Sequence, residues 1–225
     1  MTTVRRTQMT TYEDAVDPYP PYDKVGSGTV GYAFRLLAHC GMPLAARKYE
    51  GLSVAEVPAH PHQMMTPYRL AHYLSYWFRP QKELRFTTFE NVDPKVDQVV
   101  CVDPIDYWAV CSHHMLPFFG KIYFGYIPKD KLIGLSMIPL LAKEFCARPW
   151  VQEHMTQRLA DILIEKSDPL ALGLVTVGTH TCQMLDLQGP PVPKMTFSVM
   201  YGKFKESDRA RAEFLKLSGI DKGGV

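Results

Sequence analysis

The sequence predicts an α+β fold built on an antiparallel sheet, and three observations carry that expectation. Short runs rich in β-branched and aromatic residues cluster between Glu83 and Ile127 and return after Pro169. Between them lie two stretches with apolar residues at helical spacing, split by Pro149. A last helical stretch closes the chain, and the order strands, helices, strands, helix differs from the strict strand-helix alternation of a parallel sheet.

Taken in order, residues 1–24 are polar and then rich in Pro and Tyr from Asp17 to Tyr22, so they are expected to form a flexible arm. Gly26, Gly28 and Gly31 spell G-x-G-x-x-G. That pattern binds dinucleotides only after a strand, and here a Pro-rich arm precedes it, so it reads as a lead into a helix running to Cys40. Residues 25–62 are therefore expected to be an N-terminal helical extension. A further helix begins at Thr66, a capping residue followed by Pro67, carries Leu70, Leu74 and Phe78 on one face, and stops before Pro80. Strands are expected at 86–89, 96–102, 105–110 and 121–127. Helices follow at 136–145 and 150–165, the second with Val151, Met155, Leu159 and Ile162 on one stripe. Strands at 171–184 and 195–204, joined by the loop 188–193, precede a helix at 207–217 and a tail at 218–225.

Composition narrows the function classes. Across 225 residues, 25 basic against 23 acidic side chains give a formal net charge of +2, which argues against a nucleic-acid partner held through phosphates. No apolar run approaches the roughly 20 residues of a membrane span, and no apolar stretch follows Arg5 and Arg6 to make a signal peptide, so the expectation is a cytoplasmic protein without membrane contact. The five cysteines are odd in number and widely spread, which suits reduced thiols or metal ligands better than a disulfide framework.

The chemistry-bearing residues are Cys111-Ser-His-His114 and, far along the chain, His180-Thr-Cys182. Thiolate and imidazole together suit zinc, whose catalytic sites keep three protein ligands and one open position; Cys111, His114 and Cys182 would make such a set. Residues three apart on a strand face opposite sides, so the C-x-x-H spacing requires the chain to turn after Val110. His180 and Cys182, two apart on an expected strand, share one face, and His113 adjoins a ligand without being needed as one. Two imidazoles beside such a metal supply a proton donor and acceptor near neutral pH, the equipment for adding water across a C=N bond and expelling an amine. A His-His pair and a strand cysteine are also ordinary structural features, and spacing alone leaves both readings open. Cys40, Cys101 and Cys146 lack partners at ligand spacing and read as packing residues, as do His39, His72 and His154. His60 and His62 read as loop residues.

Several dispersed motifs, in order and spacing, resemble the GTP cyclohydrolase I family: Cys111 to Lys121, Gly125-Tyr-Ile-Pro128, Ile133-Gly-Leu-Ser136, Val151-Gln-Glu153, His180-Thr-Cys182 and Gly202-Lys-Phe204. Thr66-Pro67 with Arg69, and Phe86 to Phe89, fit that family's upstream helix and strand. The resemblance covers roughly residues 63–217. It implies a tunnelling fold, with a four-stranded antiparallel sheet and paired helices on one face, assembled as a ring-shaped homodecamer acting on a small purine-like substrate. It further implies Zn2+ on Cys111, His114 and Cys182, proton transfer by His113 and His180, and substrate contacts by Glu153, Gln152 and Ser136.

The departures concern phosphate. Where the family has Lys and Arg after Gly-Leu-Ser, this chain has Met137 and Leu140, and where an Arg follows the last zinc cysteine it has Asp186. Ser112 replaces a Glu, and His154 an Arg. At about 1.5–3 kcal/mol for each charged hydrogen bond, three lost cations amount to about 5–9 kcal/mol, or roughly three to six decades of binding, which argues against the triphosphate as substrate. Lys143, Arg148 and Lys194 are the cations that could compensate.

Overall fold

The computed structural model describes residues 31–33, 35–37, 40, 44–46, 56–58, 66–79, 85–187 and 192–220; the expected arm at 1–24, Gly26, Gly28, His39, His60 and His62 lie outside them. The chain divides into two compact units, Met1–Tyr76 and Trp77–Val225. In the first, helix covers 31–33 and 35–37, and strands β1 (Leu44–Ala46) and β2 (Glu56–Pro58) pair antiparallel. The expected extension is therefore not helical throughout. Among the described residues, 44–46 and 56–58 pair as strands instead. Helix α1 (Thr66–Trp77) begins where Thr66 and Pro67 place it, and Ala71 packs against Ala33, Tyr68 and Leu70. Cys40, expected to pack, is exposed.

The second unit is organised by β4 (Val100–Cys111), β5 (Pro117–Ile127), β8 (Ala171–His180) and β9 (Lys194–Gly202), hydrogen-bonded antiparallel in that order. This is the four-stranded antiparallel sheet of the expected fold. A two-residue strand β7 (Pro149–Trp150) extends it, parallel to β4, and β3 (Thr88–Glu90) pairs with β6 (Lys131–Ile133) in a separate ribbon. Where two strands were expected on either side of Asp103-Pro104, one strand runs through. A shift of register between Val102 and Ile105 lifts Pro104, which has no N–H, out of the ladder.

Alternation along β5 builds two cores. Phe118, Ile122, Phe124 and Tyr126 face helices α2 (Met137–Cys146) and α3 (Gln152–Ser167), meeting Ile138, Leu141, Phe145, Met155, Leu159 and Leu163. Tyr123 and Ile127 face the other way, with Val175, towards Phe204 of α5 (Lys203–Glu206) and Phe214 of α6 (Asp208–Ser218). The ring of Phe214 rests on a cross-strand pair of glycines: a Cβ on Gly125 would come within 2.7 Å of it, and one on Gly173 within 2.5 Å.

Two strands end earlier than the apolar pattern suggested. β8 stops at His180, and the chain turns into the short helix α4 (Gln183–Asp186). β9 stops at Gly202, which adopts φ +56° with no room for a Cβ against the Leu170 carbonyl, 2.2 Å away. The buried thiol of Cys146 is pushed up to about 12 by desolvation, and that of Cys101 to about 11 by burial and then by the nearby Glu213 carboxylate; both pack as expected.

Candidate metal centre

Cys111 is the last residue of β4, and the expected turn follows at once. The Met115 N–H donates to the Cys111 carbonyl at 2.8 Å and the Cys111 N–H to the Leu116 carbonyl at 2.8 Å. Met115 closes the turn from the left-handed region, φ 56°. This curl swings His114 back over Cys111, so that Nδ1 lies 3.5 Å from Sγ. A bond of 3.0 Å from the Ser112 N–H to the Trp150 carbonyl ties the turn to the residues that lead into α3.

Cys182 arrives by a different route from the one the sequence suggested. It does not share a strand face with His180, because β8 has already ended. Instead the Thr181 hydroxyl and N–H both donate to the Pro117 carbonyl, at 2.6 and 3.3 Å, and fold the chain across the start of β5. Cys182 then caps α4, buried, beside Cys111.

The sulfur and nitrogen donors of Cys111, His114 and Cys182 all lie within 4.8 Å of one another. Zinc bonds of about 2.3 Å to sulfur and about 2.0 Å to nitrogen, at tetrahedral angles, put sulfurs about 3.8 Å apart and sulfur and nitrogen about 3.6 Å apart. The residues present therefore fit such an ion with little movement. Their electrostatics agree. Burial raises the Cys111 thiol, but the His114 hydrogen bond and the His113 and His114 backbone amides outweigh it and bring it below its ordinary value. Cys182 is raised by burial and then by the neighbouring Cys111 sulfur. Two sulfurs that cannot both ionise comfortably side by side are a site that a divalent cation completes.

His180 ends β8, buried, with its ring stacked on Phe118 of the adjacent strand at 4.3 Å and 6°. Burial holds its imidazolium form below the usual range, with the Glu153 carboxylate opposing the shift. His113 is exposed on the turn, 6.2 Å ring to ring from His114. Glu153 is half-buried in the first turn of α3. Ser136 is exposed ahead of α2, its hydroxyl making no capping bond. Gln152, expected to face substrate with Glu153, is instead fully buried, with its carboxamide bonded to Thr176, to the Met195 carbonyl and to His180. Adjacent residues on a helix point about 100° apart, so one of this pair faces outwards and the other into the sheet.

Of the compensating cations, Lys143 is exposed in the last turn of α2, and Arg148 is half-buried. Lys194 pairs with Thr179 and so points to the sheet face away from His180. Phe118, Thr156, Thr176 and Gly178 were not singled out from sequence. The signal was present for two of them, since Thr176 and Gly178 recur with His180 at the period of two that shares a strand face.

The family model described as GTP cyclohydrolase I matches residues 51–219. The curated GTP cyclohydrolase 1 of Chlorobaculum tepidum is 36% identical over 171 residues, covering 74% of this chain and 75% of that protein. That of Chlorobium phaeovibrioides is 34% identical over 169 residues, covering 73% and 74%, and that of Homo sapiens 30% identical over 180 residues, covering 78% and 72%.

Proposed function

The chain belongs to the GTP cyclohydrolase I family, and from that premise we propose that it is a zinc-dependent cyclohydrolase that opens the imidazole ring of a guanine-type purine at C8. The observation that carries this reading is the convergence of three soft donors within 4.8 Å, at the end of the sheet where His180 lies. Zinc bound there supplies a Lewis acid that makes water a usable nucleophile near neutral pH. Glu153, an acceptor-only carboxylate, holds the donor edge of the pyrimidine ring, with Ser136 as a further polar contact. Gln152 serves the substrate from beneath, through His180. His113 and His180 move the protons: one leaves the water as it adds to C8, and one reaches the ring nitrogen as its bond to C8 breaks. Burial shifts His180 towards its neutral form, with the Glu153 carboxylate opposing the shift.

The substrate is a guanine nucleoside, a lower phosphate or a related heterocycle, because Met137, Leu140 and Asp186 stand where the family carries cations. The relatives' names favour a second reading, in which GTP itself is the substrate and other cations hold its phosphates. A panel of guanine bases, nucleosides and nucleotides, offered to zinc-loaded protein and followed by ultraviolet absorbance, tests both. Turnover of guanosine or its monophosphate with poor saturation by GTP supports the first, a micromolar KM for GTP the second, and no change with any of them overturns the assignment. The proposal extends to a ring-shaped homodecamer in the cytoplasm, for which light scattering gives the mass. No helix among the described residues is long and apolar enough to cross a membrane.

A further inference from the structure

A directed chain of hydrogen bonds runs from the backbone of α3 to the ring of His180, and its direction follows from which groups lack a choice. The Thr156 hydroxyl donates its only proton to the Gln152 backbone carbonyl at 2.8 Å, as that oxygen can only accept. The 2.7 Å bond between the Thr156 and Thr176 hydroxyls is therefore donated by Thr176. With its own proton committed, the Thr176 oxygen accepts from the Gln152 carboxamide nitrogen at 3.1 Å. That nitrogen also faces two carbonyl oxygens, of Thr176 at 3.3 Å and Met195 at 3.1 Å. Turning the carboxamide over would set its oxygen against three acceptors, two of which have no proton to give.

The carboxamide oxygen must then be the atom 2.8 Å from Nε2 of His180. It has no proton, so Nε2 carries one. Gly178 leaves the space for this contact, since a Cβ there would lie 2.5 Å from that oxygen and 2.6 Å from the Tyr107 hydroxyl.

We propose that Gln152 is a positioning residue that fixes His180 as the Nε2–H tautomer, leaving Nδ1 as the acceptor atom of the ring. The inference rests on the reading of His180 as a proton-transfer group. In the neutral ring Nδ1 is the acceptor, in the cation it is the second donor, and in both states the Gln152 bond is unchanged. The ring is therefore held in one orientation by Gln152 at its edge and by Phe118 against its face.

Neutron diffraction from the zinc-loaded wild-type protein, exchanged into heavy water at about pH 8 where an imidazole is neutral, tests the tautomer directly. A deuteron on Nε2 with none on Nδ1 is expected, and a deuteron on Nδ1 alone overturns the proposal. Kinetics test the consequence. Gln152→Leu lowers kcat by roughly 10–100-fold, the usual effect of removing such a support, with KM within about threefold. Thr176→Val, remote from any substrate, lowers kcat by about fivefold through the same chain, in line with one neutral hydrogen bond. A rise in KM at constant kcat in Gln152→Leu would mean a direct substrate contact, and would also overturn it. If the wild-type protein turns over nothing, the cyclohydrolase assignment fails while the deuteron position still decides the tautomer.

Discussion

At the scale of single residues, the legible part of the site was the part made of rare chemistry. Few residue types bind soft metals, so Cys111, His114 and Cys182 stood out, and their donor atoms do converge. On this basis Cys182→Ala should drop bound zinc from near one per chain to near zero by elemental analysis, while Cys101→Ala, in the core under Phe214, should leave it unchanged. The burial of Gln152 was not legible in its sequence neighbourhood. Beside Glu153 it looks like half of a polar pair, and only the helix rotation and the acceptors of β8 and β9 reveal that it points inwards. Nothing in an isolated Gln specifies whether its partners are ligand or backbone.

At the scale of elements, the strands and helices carrying the cores were readable from their periods, whereas their ends were set by contacts distant in sequence. The run after His180 still carries Cys182, Met184 and Leu185, yet Thr181 bonds to Pro117 and the chain bends into a helix. Asn91 does comparable work in the segment between β3 and β4. Its buried carboxamide donates to the Val96 and Lys129 carbonyls at 2.7 and 2.9 Å and accepts from the Val96 N–H at 2.8 Å. Asn91→Ala leaves those groups short of partners and should cost about 2–3 kcal/mol in urea unfolding, with the slope unchanged. At the seat of α6, Gly173→Ala drives a methyl group into the Phe214 ring and should cost about 1–3 kcal/mol. Adding Phe214→Leu should recover part of that loss in a double-mutant cycle.

For the whole molecule, the sheet assigns different work to its two faces. One buries the large core beneath α2 and α3, and ends at the donors and His180; the other receives Phe204 and Phe214. The fold class was recoverable because strands that feed two cores are runs rich in β-branched and aromatic residues, set apart from the stretches at helical spacing. Substrate choice is a property of the surroundings rather than of this frame, and the altered positions on α2 make it testable. Leu140→Arg should lower KM for GTP by about 10–100-fold, the worth of one charged hydrogen bond, and leave KM for guanosine unchanged in steady-state assays.

The glycine seat of Phe214 lies well along β5 from Phe118, about 23 Å of strand away. Anchorage and reactivity thus occupy opposite ends of the same two central strands. Such a layout gives drift in the closing helix little leverage over the imidazole, and a lineage of such chains could exchange one end for another while the business end stayed as it was.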